Sequence, residues 1–141
     1  MESREFRTLK GYQLRDRPAL TVAMEDYLEM IYRASLVDGY ARINQLADVL
    51  NVRPSSASKM VRNLKLLGYV DYEKYSVIKL TEKGVAEGKY LLYRHELLQR
   101  LLGLINESDD VLEEVERLEH FVDRKTVGNL QHFLDCWEEK Q

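Results

Sequence analysis

The chain has 141 residues, 45% of them hydrophobic and 32% charged, with a formal net charge of −3. That is ordinary globular composition, sufficient for one domain or for a small domain with an appended helical module, and it excludes a disordered chain. The overall acidity hides an asymmetry, because Met1 to Lys83 carries fourteen Lys/Arg against eleven Asp/Glu whereas Gly84 to Gln141 carries seven against thirteen. A mildly basic part joined to an acidic one suggests two jobs, the first compatible with nucleic acid. Apolar runs are broken by charges well before the roughly eighteen residues that suggest a membrane span. Met1 to Arg17 is polar and shows no signal peptide. The single cysteine, Cys136, excludes an internal disulfide, so the cytoplasm is the expected compartment.

In chain order, residues 1–20 lack periodicity and carry Arg4, Arg7, Lys10, Arg15 and Arg17, which reads as a basic N-terminal arm. Thr21 is placed to cap a helix to about Val37, with Leu28 and Ile31 on its apolar side and Asp38-Gly39 ending it. Ile43, Leu46, Ala47 and Leu50 give a short amphipathic helix. Pro54 opens the next, whose stripe is Ala57, Met60, Val61, Leu64 and Leu67, with Gly68 closing it. Its polar face bears Ser55, Ser56, Ser58, Lys59 and Arg62, just after Arg53. Two short helices around a tight turn describe a helix-turn-helix. Tyr69 to Tyr72 and Val77 to Leu80 then alternate as strands around Glu73-Lys74-Tyr75-Ser76, a wing beside the recognition helix. The expected fold is therefore mostly α with a small β-wing: a winged helix-turn-helix DNA-binding domain over 21–83 and a helical domain over 84–141. In the latter, Thr81 caps a long helix to Gly103, Ser108 caps another carrying Leu112, Val115 and Leu118, and a last helix runs from about Asp123 to Trp137. Those apolar stripes exceed what so small a part can bury alone, which predicts packing against a second copy.

The chemistry concentrates in Glu116-Arg117-Leu118-Glu119-His120. Helical spacing brings Glu116, Glu119 and His120 to one face, two carboxylates with an imidazole. Such a triplet alone is usually a solvated face, and it is an incomplete metal site. Asp26 with Glu29, and His95, supply further donors at helical spacing within apolar periodicity.

Met24-Glu25-Asp26-Tyr27-Leu28-Glu29, Pro54 to Val61, Tyr72 to Tyr75, Tyr93 to Leu98 and Glu116-x-x-Glu119-His120 together resemble the diphtheria toxin repressor family of metal-dependent repressors, and within it the short manganese-responsive branch. The resemblance runs from about Thr21 to Phe133. It implies a binuclear Mn²⁺ site, two ions per subunit, built from Asp26, Glu29, His95, Glu116, Glu119 and His120. It also implies a homodimer whose C-terminal helices pair, with each winged helix on double-stranded operator DNA. The iron-responsive branch has methionine at the position of Asp26 and cysteine at that of Glu116. Gln99 and Leu112 occupy positions of that branch's ancillary site, which is expected to be absent, as is its third, SH3-like domain.

Four carboxylates and two imidazoles suit a hard ion such as Mn²⁺, with Fe²⁺ or another divalent metal as the alternative. Arg53, Ser55, Ser56, Ser58, Lys59 and Arg62, with Lys74 and Tyr75 from the wing, are the expected DNA contacts. Two other classes compete. A winged-helix regulator of a non-metal ligand would bind DNA without metal, and a carboxylate-bridged di-metal enzyme would need a Glu-x-x-His motif on each of two bundle helices, which is lacking. No nucleophile-base pair or phosphate loop is found, so neither an enzyme nor an organic cofactor is expected.

Overall fold

The computed structural model of the chain describes Thr8 and residues 20–141. The basic arm expected over residues 1–20 therefore lies outside the described residues apart from Thr8 and Leu20, and Leu20 is already buried in the core.

Six α-helices and one two-stranded sheet follow in order among the described residues: α1 (Val22–Asp38), α2 (Ile43–Leu50), α3 (Pro54–Leu66), β1 (Val70–Tyr72), β2 (Ile78–Leu80), α4 (Glu82–Asn106), α5 (Leu112–Leu118) and α6 (Arg124–Glu139). A 3₁₀ turn, Glu119–Phe121, extends α5. Thr21 caps α1 as its position predicts, accepting from the Met24 amide at 3.1 Å, and left-handed Gly39 closes it. Asn51 in the left-handed region ends α2, and Pro54 opens α3 where its missing N–H has no helical partner to lose. The wing pairs β1 with β2 antiparallel, Val70 opposite Leu80 and Tyr72 opposite Ile78. Ala41 joins it by reciprocal backbone bonds to Ile78 of 2.9 and 2.7 Å, fixing the wing to the α1–α2 connection.

Three corrections concern element ends. Ser108 does not cap α5: its Oγ accepts from the Asp110 amide in a local turn, and the helix starts at Leu112 after Val111. Helix α4 passes Gly103 and stops at left-handed Glu107. Leu67 caps α3 from the outside rather than lying on its buried stripe, and is exposed. No helix among the described residues is long and apolar enough to cross a membrane.

Packing divides into two regions that α4 connects. Leu28 and Ile31 of α1, Leu46 and Ala47 of α2, Ala57, Val61 and Leu64 of α3, and Val70 and Ile78 of the wing form the first, which also takes in Leu91 of α4. Further along α4, Leu98 and Leu102 meet Val111 and Val115, and Leu97 meets Val127 and Leu134 of α6. At 25 residues α4 is about 37 Å long, enough to serve both. Its close seating on the winged region uses glycine. A Cβ at Gly84 would collide with the Tyr69 carbonyl oxygen, and one at Gly88 with the Tyr32 side chain.

Gly84→Ala is accordingly expected to destabilise the protein by about 1–3 kcal/mol, despite alanine's better helix propensity, because the obstacle is backbone rather than a yielding side chain. Urea unfolding measures it. Unchanged or increased stability would show that the Tyr69 segment can withdraw at no cost.

Candidate metal centre and DNA-binding surface

Asp26 and Glu29 project from α1, His95 from the middle of α4, Glu116 from the last turn of α5, and Glu119 and His120 from the 3₁₀ turn. All six sequence-predicted metal residues converge where α1 and α4 cross the end of α5. Two triplets have donor atoms within 4.8 Å of one another: Asp26, Glu119 and His120, and Glu29, His95 and Glu119. Glu119 belongs to both. Its Oε2 lies 2.8 Å from His95 Nδ1, its side chain is fully buried, and its Oε1 has no hydrogen-bond partner. Glu116 stands at the rim, about half exposed, with Oε1 3.6 Å from His95 Nδ1. His120 Nε2 lies 2.9 Å from Asp26 Oδ1, and His95 Nδ1 lies 4.0 Å from Glu29 Oε2.

The helical-face expectation for Glu116, Glu119 and His120 needs one refinement. The α-helix ends at Leu118, and in the 3₁₀ turn that follows Glu119 faces His95 of α4 while His120 faces Asp26 and Glu25 of α1.

Crowded acids in a dry place hold protons. Burial, reinforced by the Glu119 charge, pushes the Glu29 carboxyl up to about 7 against the pull of Arg33, which donates to Glu29 Oε2 from Nε and Nη2 at 3.1 and 3.0 Å. Burial and the Glu119 charge likewise raise Glu116. His95 is raised by its hydrogen bond to Glu119, which outweighs burial. Burial pulls His120 down, but hydrogen bonds to Asp26 and Glu25 outweigh it and lift it to about 9, so it is an imidazolium at neutral pH. Burial also acts on Glu25, yet His120 and Arg94 together hold it below the ordinary carboxylate value.

These donors fit a divalent ion. Glu119 is a fully buried carboxylate shared by two donor groups, with one oxygen that has no hydrogen bond and only the His120 imidazole near it at 3.9 Å; the protons on Glu29 and His120 occupy donors that a cation would use. Oxygen donors predominate, with no thiolate, which matches hard ions.

The DNA-binding candidates lie together on another face. Ser55, Ser56, Lys59 and Arg62 are exposed along α3; Ser58 is half-buried and accepts from Arg62 Nη1 at 2.8 Å. Arg53 precedes Pro54 and is exposed. At the wing tip Tyr75 is 91% exposed with φ of 66°, and the Lys74 ammonium sits over its ring at 5.0 Å. A cleft between wing and α3 is lined by Ser55, Ser58, Lys74 and Tyr75 together with Arg42 and Asn44.

Sequence reasoning passed over Arg42 and Asn44, whose place in the cleft depends on the wing folding back. It also passed over Glu25, Arg33 and Arg94, which surround the carboxylate cluster. Arg94 had a legible signal: a charged residue on the inward side of α4, between Leu91 and Leu97.

A winged-helix unit joined through one long helix to a buried carboxylate-imidazole cluster defines a class, DNA-binding proteins with a metal-type donor set at the junction of their two parts. Comparison narrows it. Residues 19–85 match the family model described as iron dependent repressor, N-terminal DNA binding domain. Residues 81–140 match that described as iron dependent repressor, metal binding and dimerisation domain. The chain belongs to the iron dependent repressor family, and so stands among metal-dependent, DNA-binding transcriptional regulators. It is 40% identical over 120 residues to the HTH-type transcriptional regulator MntR of Bacillus subtilis (strain 168), covering 84% of each chain. With the MntR of Oceanobacillus iheyensis it shares 38% over 120 residues, 84% of this chain and 82% of that one. Among solved structures, the manganese regulator SloR superposes with a TM-score of 0.69 at 33% identity, covering 79% of this chain and 53% of that one. The chain thus spans about half the length of SloR.

The raised groups set a pH dependence for the metal-free protein. Because Glu29 at about 7 and His120 at about 9 lie above their ordinary values of 4.5 and 6.5, the folded state binds more protons. Their stabilisation is complete below those ordinary values and is lost as pH rises through the folded ones. Thermal melts in chelator should therefore show the melting temperature falling between pH 6.5 and 8.5. Added divalent metal should stabilise increasingly over the same interval as protons cease to compete. A chelated protein whose melting temperature rises across that interval contradicts the proton assignment.

Proposed function

We propose that the protein is a manganese-dependent repressor of metal-uptake genes, in which Mn²⁺ held by Asp26, Glu29, His95, Glu116, Glu119 and His120 fixes a DNA-competent homodimer. The single observation that carries this reading is the buried, half-partnered Glu119 carboxylate at the meeting point of two donor groups. The ions supply positive charge and coordination there, and about two per subunit suit the shared carboxylate. Similarity to relatives named MntR and to the manganese regulator SloR favours manganese over iron, as does Asp26, a carboxylate where the resemblance gives iron-responsive members methionine.

Residues 21–83 form the DNA-binding part and 84–141 the dimerising part. Asp26 and Glu29 sit on α1, whose Leu28 and Ile31 share a core with Val61 and Leu64 of the recognition helix α3. His95, Glu116, Glu119 and His120 belong to the dimerising part. An ion bound by both sets restricts how α3 is presented, and a dimer needs a particular spacing of its two recognition helices to enter successive major grooves. Arg53, Ser55, Ser56, Ser58, Lys59 and Arg62, with Lys74 and Tyr75, make the contacts with operator DNA. Contacts to phosphate make that binding salt-dependent.

Footprinting on the DNA upstream of the encoding operon tests the reading. Protection of a two-fold symmetric site in Mn²⁺ and its loss in chelator are expected; equal protection in both would favour a regulator of another kind. Arg62→Ala should weaken binding by about 1–3 kcal/mol where the residue reads a base. Asp26→Met should weaken Mn²⁺-activated binding while Fe²⁺, tested anaerobically, becomes the comparatively better activator. Activation curves that overlay those of the unmodified protein for both metals would remove Asp26 from the site.

A further inference from the structure

Arg94 is a fully charged side chain in a dry place. It is 3% exposed, and it leaves α4 one residue before His95 and one turn after Tyr90. Its Nη2 donates to Glu25 Oε1 at 3.2 Å, and His120 Nδ1 donates to that same oxygen at 2.8 Å. The guanidinium and the imidazole edge lie 3.4 Å apart, so two donors from the C-terminal part converge on one acceptor from α1. On its other side the guanidinium faces the Tyr90 ring at 5.9 Å, and Tyr90 is itself covered by Arg124, which is paired with Glu87.

The consequence for His120 is geometric. An imidazole has two nitrogens on opposite edges, and whichever carries the retained N–H is set by what that edge faces. Here the Nδ1 edge faces the Glu25 carboxylate, and the Nε2 edge faces Asp26 at 2.9 Å, in the triplet shared with Glu119. A carboxylate anchoring the remote nitrogen of a ligating histidine fixes both its tautomer and its ring orientation. Glu25 itself needs holding, because a carboxylate on the first turns of α1 can rotate to solvent; the buried guanidinium prevents that.

We propose that Arg94 and Glu25 are positioning residues of the metal switch: Arg94 fixes the Glu25 carboxylate, Glu25 holds the Nδ1 edge of His120, and Nε2 is thereby committed to the ion. This rests on the reading of the six donors as a metal site. It adds that occupancy of the ion is coupled to α1 through a pair that touches neither ion nor DNA. The pair crosses the same junction that the donors cross, since Glu25 belongs to α1 and Arg94 to α4. Placing α1 correctly therefore depends on Arg94 as well as on the ion.

The test measures metal affinity and the histidine tautomer in the full-length protein. Arg94→Met keeps much of the side chain's bulk without its charge, and leaves Glu25 still paired with His120; Glu25→Gln keeps an acceptor oxygen without charge, and Glu25→Ala removes it. Competition against a fluorescent chelator should show Mn²⁺ binding weakened about 10–100-fold in Arg94→Met and Glu25→Ala, with Glu25→Gln partly rescued. In the diamagnetic Cd²⁺ complex, nitrogen NMR should show the retained proton of His120 on Nδ1 in the unmodified protein and in Glu25→Gln. In Glu25→Ala it should be lost or exchange-broadened. Unmodified protein that fails to bind either ion overturns the metal reading itself. Unmodified protein that binds while Arg94→Met and Glu25→Ala bind within twofold of it, with the same tautomer, overturns only the positioning role. Circular dichroism of each variant separates loss of fold from loss of positioning, and a native spectrum in Glu25→Gln keeps the comparison decisive even where the alanine variant unfolds.

Discussion

Everything at the junction of the two parts depends on one buried carboxylate. Glu119 is completely enclosed, spends one oxygen on His95 and leaves the other without a hydrogen bond. An ionised group in that setting is costly unless positive charge compensates it. In the metal-free chain the compensation comes from the two imidazoles, His95 raised by its hydrogen bond to Glu119 and His120, 3.9 Å from the other oxygen, held charged to about pH 9; nearby, Glu29 keeps a proton up to about 7, and Arg33 and Arg94 pair with Glu29 and Glu25. On the proposed reading, a divalent ion would replace the protons while leaving the arginines in place. Metal sensing would then be an exchange of one form of positive charge for another at a site already assembled.

The assembly of that site is a matter of helix packing. Helix α4 carries Leu91 in the winged-region core and Leu97, Leu98 and Leu102 in the C-terminal clusters, so His95 is held at the boundary between them. Gly84 and Gly88 allow α4 to lie directly on Tyr69 and Tyr32, and Tyr32 belongs to the same helix as Asp26 and Glu29. The recognition helix cannot move independently of α1, because Ala57, Val61 and Leu64 are fully buried in the core that Leu28 and Ile31 share. Interiors packed in this way transmit displacement rather than absorb it. A constraint imposed at α1 is consequently felt at Lys59 and Arg62.

The helices, the helix-turn-helix and the wing were legible because each is punctuated locally: Thr21 and Gly39, Asn51, Pro54, Thr81. Ends set by long-range packing were not. Ser108 looks like a cap but serves a turn, since the inward residues Val111 and Val115 decide where α5 can start. The convergence of six donors from α1, α4, α5 and the 3₁₀ turn followed from the family resemblance rather than from any single spacing. Arg94 could be read as an inward charge, but what no spacing conveyed was which partners the surrounding charges meet. Glu25 and Arg94 are 69 positions apart, and only the crossing of α1 and α4 brings them together. The cleft residues Arg42 and Asn44 escaped notice for a similar reason, since the wing that faces them comes thirty residues later.

Because Glu119 belongs to both donor groups, its substitution separates a shared site from two independent ones. Electron paramagnetic resonance counts free Mn²⁺ during titration of the unmodified protein and of Glu119→Gln, an uncharged side chain of nearly the same shape. Binding of about two ions per subunit in the unmodified protein and loss of both in the variant is the predicted result. A variant that retains both ions, or loses one and holds the other with unchanged affinity, would contradict the central place given to this carboxylate.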